Sequence, residues 1–380
     1  MNKTLLKLIP VMFAFFAMGA VDFVGIATNH VKADFRLSDT LANTFTSMVF
    51  FWFLIFAVPA GMLMNKIGRR KTVIISLWIT ALALVIPLLD YNLVVIMLSF
   101  SLLGIGNTIM QVSANPLLSN IVSREHLPSA LTFGQFVKAC AALLGPLLAG
   151  WGLIYFGTWQ ILFPFFLIIT LIAIVLLSKE QVKEDEIGQP ASFKECFSLL
   201  GRLPILLCFF AVICHVGIDV GSNVSIPKIM MQKLSLPIET AGIAASIYFL
   251  FRTIGSLTGS YLLTQMSVRR FFGISVIMMF CAMAGLLFFD AKIAIYACIA
   301  FIGYGNANIF PIAFTQALQT MPDKKNEISG LMVMGIFGGT IFPLIMGIVS
   351  DMVRSQSGNV AVMLCGIAYL IFFIRKIGQH

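Results

Sequence analysis

Charge is what this sequence has least of. Only 11% of its 380 residues are Asp, Glu, Lys or Arg, where a water-soluble domain carries about 25%. So few charges cannot wet the surface of a chain this long, which excludes a soluble globular protein and leaves lipid as the solvent. Paired cysteines are lacking too. The seven cysteines (Cys140, Cys196, Cys208, Cys214, Cys281, Cys298, Cys365) have no CxxC spacing and fall mostly inside apolar runs. They read as small core residues, not as a disulfide framework or a metal site. There is no HExxH, no GxSxG, no Walker loop and no His/Asp/Glu cluster at metal-ligand spacing. These absences argue against an enzyme, against a nucleotide-driven pump and against any cofactor or metal. No soluble signalling domain is present to make a sensor. The net charge of +9 would suit nucleic acid, but the basic residues come in short bursts between apolar runs, so no nucleic-acid partner is expected.

What is abundant is apolar: 59% of the residues are hydrophobic and 35 are phenylalanine. A hydrocarbon core of about 30 Å takes about 20 apolar residues of helix. Runs of that kind lie near 5–28, 41–64, 72–89, 92–119, 128–151, 157–178, 204–230, 240–264, 270–289, 292–318, 326–350 and 358–375. With the N-terminus inside, the cytoplasmic segments hold 17 basic residues and the outer loops only Lys32, Arg36, Lys228, Lys233, Lys292 and Arg354. That is the positive-inside bias, and it predicts both termini on the cytoplasmic side of the cell (inner) membrane. Lys3 and Lys7 precede an apolar run as in a signal peptide, but Asp22 and the lack of a small-residue cleavage pattern favour a retained first helix. The one long polar stretch, 179–203, divides the chain into a bundle over 1–178 and a second over 204–380, and reads as a solvated cytoplasmic linker.

The two bundles repeat one another at an offset of about 200 residues. Asp22 in span one answers to Asp219 in span seven. Gly104-Ile105-Gly106-Asn107 answers to Gly303-Tyr304-Gly305-Asn306, and Arg69-Arg70 to Arg269-Arg270. Pro146 and Gly150 answer to Pro343 and Gly347. Four matches in one order imply an all-α membrane protein of two pseudo-symmetric six-helix bundles, with its site near the midplane between them.

After span two the chain reads Gly61-Met62-Leu63-Met64-Asn65-Lys66-Ile67-Gly68-Arg69-Arg70-Lys71. This resembles the loop signature of the major facilitator superfamily, with Asn65 where many members have Asp. Preceded by Pro59-Ala60-Gly61, it is similar in particular to the fucose–galactose–glucose:proton symporter family. Ser113-Ala114-Asn115-Pro116 looks like that family's Ala-Ala-Asn-Pro. His215-Val216-Gly217-Ile218-Asp219-Val220 looks like its Tyr-Val-Gly-Ala-Glu-Val, and Ile309-Phe310-Pro311 like its Met-Phe-Pro. Arg252 stands where the family tends to carry arginine. The resemblance implies a major facilitator fold of 12 transmembrane helices, a monosaccharide-type solute and proton symport. Where the family has a carboxylate in span four, this chain has Gln111, which cannot exchange a proton.

An ionised group at the bilayer centre costs about 3 kcal/mol or more, so each one needs a reason. Only Asp22, Asp219, Lys138 and Arg252 lie well inside spans. Asp22 is a candidate for proton exchange or sugar-hydroxyl binding, or a partner for Lys138; Asp219 is a candidate for the same work, or a partner for Arg252. Lys138, about ten residues from either end of its span, is too deep to snorkel. Among neutral residues Asn29, Asn107, Gln111, Asn115, Gln135, His215, Asn223, Asn306 and Asn308 are polar at membrane depth. Amides suit sugar hydroxyls because they offer donor and acceptor together, although interhelical bonding would also use them. Phe133, Phe136, Tyr248 and Phe251 could stack on a sugar ring. The expected substrate-binding set is Asp22, Gln111, Asn115, Gln135, Lys138, Asp219, Asn223 and Asn308, with Asp22 and Asp219 for proton coupling.

The leading reading is therefore an alternating-access secondary transporter of a monosaccharide or related small polar solute, coupled to protons or sodium and working as a monomer in the lipid bilayer. The alternatives are an anionic sugar or organic anion held by Lys138 and Arg252, an uncoupled uniporter, and drug export. The last rests on Gly145-Pro146-x-x-Ala149-Gly150, which partly resembles an antiporter motif.

Overall fold

The structure is a computed structural model that describes residues 3–37, 39–180, 182, 184, 192–236 and 238–378. Among these residues every regular element is helical. In chain order the helices are α1 (Lys3–Met18), α2 (Val24–Asp34), α3 (Asp39–Ile67), α4 (Arg69–Leu89), α5 (Leu93–Leu118), α6 (Leu127–Phe156), α7 (Leu162–Lys179), the short α8 (Phe193–Ser198), α9 (Leu203–Leu234), α10 (Ile238–Gln265), α11 (Val268–Phe288), α12 (Lys292–Asn306), α13 (Ile309–Thr320), α14 (Lys325–Met334), α15 (Gly338–Val353) and α16 (Ser357–Ile374). They make twelve helical passages, because α1–α2, α12–α13 and α14–α15 are each one interrupted passage. Among the described residues, ten stretches are long and apolar enough to cross a membrane.

Local chemistry sets several boundaries. The Asn92 side chain caps α5 by accepting from Val95 N–H, and Ser267 caps α11 by accepting from Arg270 N–H, each satisfying a donor that the first turn leaves open. Pro occupies the first turn of α6 and α9, where a missing N–H costs nothing. Three passages are broken inside the apolar run. Residues Gly19–Phe23 form a 3₁₀ turn that carries Asp22, Ala307 and Asn308 separate α12 from α13, and Gly335–Phe337 interrupt the eleventh passage. Such interruptions are where transporters concentrate their polar chemistry.

The chain divides into two compact units. One comprises 1–127, 134–197 and 324–334, the other 128–133, 198–323 and 335–380. They follow the two sequence halves except that each half lends the other the opening of one helix: α14 in one direction, the start of α6 in the other. These segments stand about 200 residues apart, so the exchange follows the sequence repeat.

Within each unit the repeat has a packing basis. A Cβ on Gly106 would stand 2.6 Å from Thr80 Oγ1 and 3.2 Å from the Ser76 carbonyl. On Gly305 it would stand 2.7 Å from the Ser275 carbonyl. Likewise Gly104 lets α5 onto Trp52 and Val49 of α3, and Gly303 lets α12 onto Tyr248 of α10. The Gly-x-Gly pairs are thus seats for two neighbouring helices in each half. Stretches 106–118 and 309–318 are buried on all sides, as befits the central helix of each bundle.

The cysteines are free, but they are not all core residues. Cys196, Cys208, Cys214 and Cys298 are buried, whereas Cys281 and Cys365 are exposed on the flanks of α11 and α16. A thiol is apolar enough to face lipid, so an apolar span alone does not fix which way a cysteine points.

Candidate functional site

In the first unit the polar residues gather around the break in the first passage. The 3₁₀ turn packs against α5. Gly19 brings it onto α6: a Cβ there would lie 2.7 Å from the Lys138 carbonyl and would also strike Ala141. This close approach sets Asp22 Oδ2 4.0 Å from Lys138 Nζ, with side-chain exposures of 40% and 18%. That distance is a charge contact and not a hydrogen bond. Among the described residues neither side chain has another polar partner, so the lone pairs of Asp22 and the three donors of Lys138 remain unused.

On α5, Asn107, Gln111 and Asn115 share one face at helical spacing. Gln111 Nε2 donates to Asn107 Oδ1 at 3.2 Å, which leaves Asn107 Nδ2 without a partner. Asn115 is completely buried, and both of its amide atoms are unpartnered. Gln135 on α6 likewise has an unpartnered Nε2. Buried amides without partners cost about 1–3 kcal/mol each, so this region holds unspent hydrogen-bonding capacity.

The second unit is arranged in the opposite way. Arg252 Nη1 on α10 lies 3.1 Å from Asp219 Oδ2 on α9. Tyr248 Oη donates to Asp219 Oδ1 at 2.6 Å. Asn306 Nδ2 donates to Tyr248 Oη at 3.0 Å and, more weakly, to Asp219 Oδ1 at 3.4 Å. Those two bonds fix the orientation of the Asn306 amide, so its Oδ1 faces His215 Nδ1 at 2.9 Å. An amide oxygen only accepts; His215 therefore carries its proton on Nδ1. His215, Tyr248 and Asn306 are all buried. The result is a satisfied network on three helices, with the carboxylate of Asp219 already claimed.

The eight residues expected to bind solute are therefore not equivalent. Asp22 and Lys138 face each other across an open gap, with Gln111 and Gln135 on the two helices that flank the break. Asp219 is consumed by its network. Asn308 is buried, donates to the Gly255 carbonyl at 3.1 Å, and keeps an unpartnered Oδ1. Asn223 is exposed. Tyr248, named above as a ring for stacking, is completely buried and spends its hydroxyl on Asp219. The side chain of Asn29 lies outside the described residues. His30 stacks on Trp159 with ring centroids 5.4 Å apart, near an Asp34 carboxylate that accepts from Tyr91 Oη and Trp159 Nε1. Burial, followed by Asp34, pushes the Tyr91 phenol well above its ordinary range.

Sequence reasoning missed a further cluster at the α3–α4 turn. There Arg69 Nε donates to Asn326 Oδ1 at 2.7 Å, Asn65 Nδ2 to Glu327 Oε1 at 3.0 Å, and Asn326 Nδ2 to Asn65 Oδ1 at 2.6 Å. The signals available were the loop signature carrying Asn65 and Arg69 and the polar pair Asn326-Glu327 at the mouth of an apolar span; nothing in the sequence joined the two.

The family description "Major Facilitator Superfamily" matches residues 11–222 and 208–378. A glucose/galactose transporter of Brucella abortus is 26% identical over 388 residues, covering 94% of this chain and 91% of that one. The L-fucose-proton symporter of Escherichia coli is 23% identical over 386 residues, covering 90% and 85%. Among solved structures, the E. coli fucose:proton symporter superposes with a TM-score of 0.83 at 18% identity over the full length of both chains. A crystal structure of FucP in the outward conformation gives 0.82.

Proposed function

The chain belongs to the Major Facilitator Superfamily, a family of transporters and not of enzymes, and from that premise we propose that it carries a monosaccharide or related polyol by alternating access, coupled to protons. The observation that carries this reading is the open Asp22–Lys138 pair. The gap of 4.0 Å is too long for a direct hydrogen bond and suits one hydroxyl oxygen between the two charges. Such a hydroxyl donates to Asp22 and accepts from Lys138 in the same place. Gln111 and Gln135 would take neighbouring hydroxyls, each offering donor and acceptor. The four charges at membrane depth sum to zero, Asp22 with Lys138 and Asp219 with Arg252, which favours a neutral solute. Relatives named as glucose/galactose transporters and as an L-fucose-proton symporter support both the solute class and the proton.

Asp22 is the half-exposed carboxylate at membrane depth, so it is the group placed to exchange a proton; Asp219 serves its own unit. The protein lies in the cell (inner) membrane with both termini cytoplasmic, on the strength of the positive-inside bias. Lys138 supports one second reading, because three unused donors suit the carboxylate of a sugar acid.

The test is a thermal-shift screen of purified protein, followed by uptake into proteoliposomes. A ligand of the native state raises the melting temperature by mass action. D-glucose, D-galactose or L-fucose should do so, and Asp22→Asn should weaken the shift. A shift with D-glucuronate or D-galacturonate alone, lost in Lys138→Ala, selects the anionic reading. Uptake driven by an inward sodium gradient at constant pH replaces the proton.

A further inference from the structure

The turn between α3 and α4 is fixed by a group from a distant part of the chain. Gly68 adopts φ +88° and has no side chain with which to cap α4. The first two donors of that helix, the N–H groups of Arg69 and Arg70, go instead to Glu184 Oε2 and Oε1 at 2.6 and 2.7 Å. Glu184 belongs to the polar stretch that joins the two sequence halves. Its carboxylate spans the positive end of α4, a favourable place for an anion. A Cβ on residue 68 would stand 2.6 Å from Glu184 Oε2, so glycine is what admits the carboxylate. Arg70 adds a second tie by donating from Nε to the Leu177 carbonyl at 2.9 Å and from Nη2 to the Ser178 carbonyl.

The same turn also grips residues 324–334, which the second half of the chain contributes to the first unit. Arg69 donates to Asn326. Below it, Gly61 meets the Asn326 carbonyl and Gly330 meets the Ala57 carbonyl, at Cβ distances of 2.6 and 2.8 Å. Arg69 is the first residue of α4, so the direction of its side chain depends on whether the first turn of that helix is wound. An uncapped first turn frays.

We propose that Glu184 is a positioning residue for the transport cycle: by capping α4 it holds Arg69 on Asn326, and the linker thereby sets how readily residues 324–334 leave the first unit. This rests on the transporter reading, because only a transporter needs that segment to move. Glu184 touches no solute, so its effect falls on turnover and not on affinity.

The experiment compares wild type with Glu184→Ala, Glu184→Gln and Glu184→Asp. Amide hydrogen exchange is followed by mass spectrometry, and uptake of D-galactose and D-glucose is measured in proteoliposomes. In Glu184→Ala, amides in 69–72 and 326–334 should exchange at least threefold faster, while peptides from α9 to α12 stay unchanged. Vmax should change at least twofold at constant KM. Glu184→Gln should fall between, and Glu184→Asp should return towards wild type. Unchanged exchange in 326–334 overturns the proposal. So does faster exchange throughout with a lowered melting temperature, which marks a merely structural role, and so does a change in KM at constant Vmax. The exchange arm needs no solute: failure to transport either sugar counts against the solute assignment, and the amides alone then judge the latch.

Discussion

The two membrane-depth ion pairs should differ sharply in what they contribute to stability, and the difference can be worked from their geometry. Two unit charges 4 Å apart attract by about 4 kcal/mol at an effective dielectric constant of 20. The Asp22–Lys138 pair has that separation, but Asp22 is 40% exposed and no hydrogen bond joins them. Water and side-chain freedom reduce such a pair to about 1 kcal/mol or less. Asp219 is different. Removing it strips Arg252 of a contact at 3.1 Å and leaves the buried hydroxyl of Tyr248 and the buried amide of Asn306 short of an acceptor. Breaking a buried pair costs about 3–5 kcal/mol, and Arg252, itself one-third exposed, places this one at about 3. Asp219→Ala should therefore destabilise the protein by about 2 kcal/mol more than Asp22→Ala. Equilibrium unfolding in mixed micelles, run as two double-mutant cycles, measures it. The Asp219/Arg252 cycle should be strongly non-additive and the Asp22/Lys138 cycle nearly additive. Equal losses for the two aspartates, or additivity for Asp219 and Arg252, would refute the reasoning.

Gln111→Glu puts a titratable group on α5, the helix against which the turn carrying Asp22 packs; sugar uptake should become more steeply pH-dependent, which initial rates from pH 5 to 8 will test. Tyr248→Phe leaves Asn306 Nδ2 with only its long bond to Asp219 and should cost about 1–3 kcal/mol, with solute affinity unchanged by thermal shift. Gly106→Ala and Gly305→Ala should each overpack a helix seat by about 1–3 kcal/mol, and clearly unequal losses in unfolding would speak against equivalent seats. In the linker, Ser192 and Glu195 cap α8 reciprocally, and the Ser192 N–H and hydroxyl hold the Glu195 carboxyl below its usual range. The folded carboxyl is the stronger acid, so its contribution is present at neutral pH and is lost as pH falls through the carboxylate range. Amide exchange in 193–198, corrected for intrinsic rates, should lose protection there and keep it in Glu195→Gln, which no longer titrates.

Much of the architecture was legible because lipid imposes a simple rule. Backbone groups in hydrocarbon must bond within their own segment, so each long apolar run is a helix, and twelve runs are twelve passages. The internal repeat was readable for a related reason: the Gly-x-Gly pairs are steric seats, and a seat for two helices tolerates no side chain in either half. The pairing of Asp219 with Arg252 could also be anticipated, since two opposite charges alone in one bundle have little choice but each other. Composition could not show whether a pair is open or closed. Asp22 and Asp219 occupy equivalent places in the repeat. One ends beside a lysine with which it makes no hydrogen bond, in a 3₁₀ break that begins at Gly19; the other ends beneath Tyr248 and Asn306, 29 and 87 residues away in sequence. Nor could the sequence show that Glu184, in a stretch that reads as solvated linker, would return to cap α4 more than 100 residues earlier. The sequence determines the helices and their number because each depends on a local run of residues and on the solvent around it. Which polar groups are spent and which are left for a solute depends on distances between separate helices, and only the packed tertiary structure decides those.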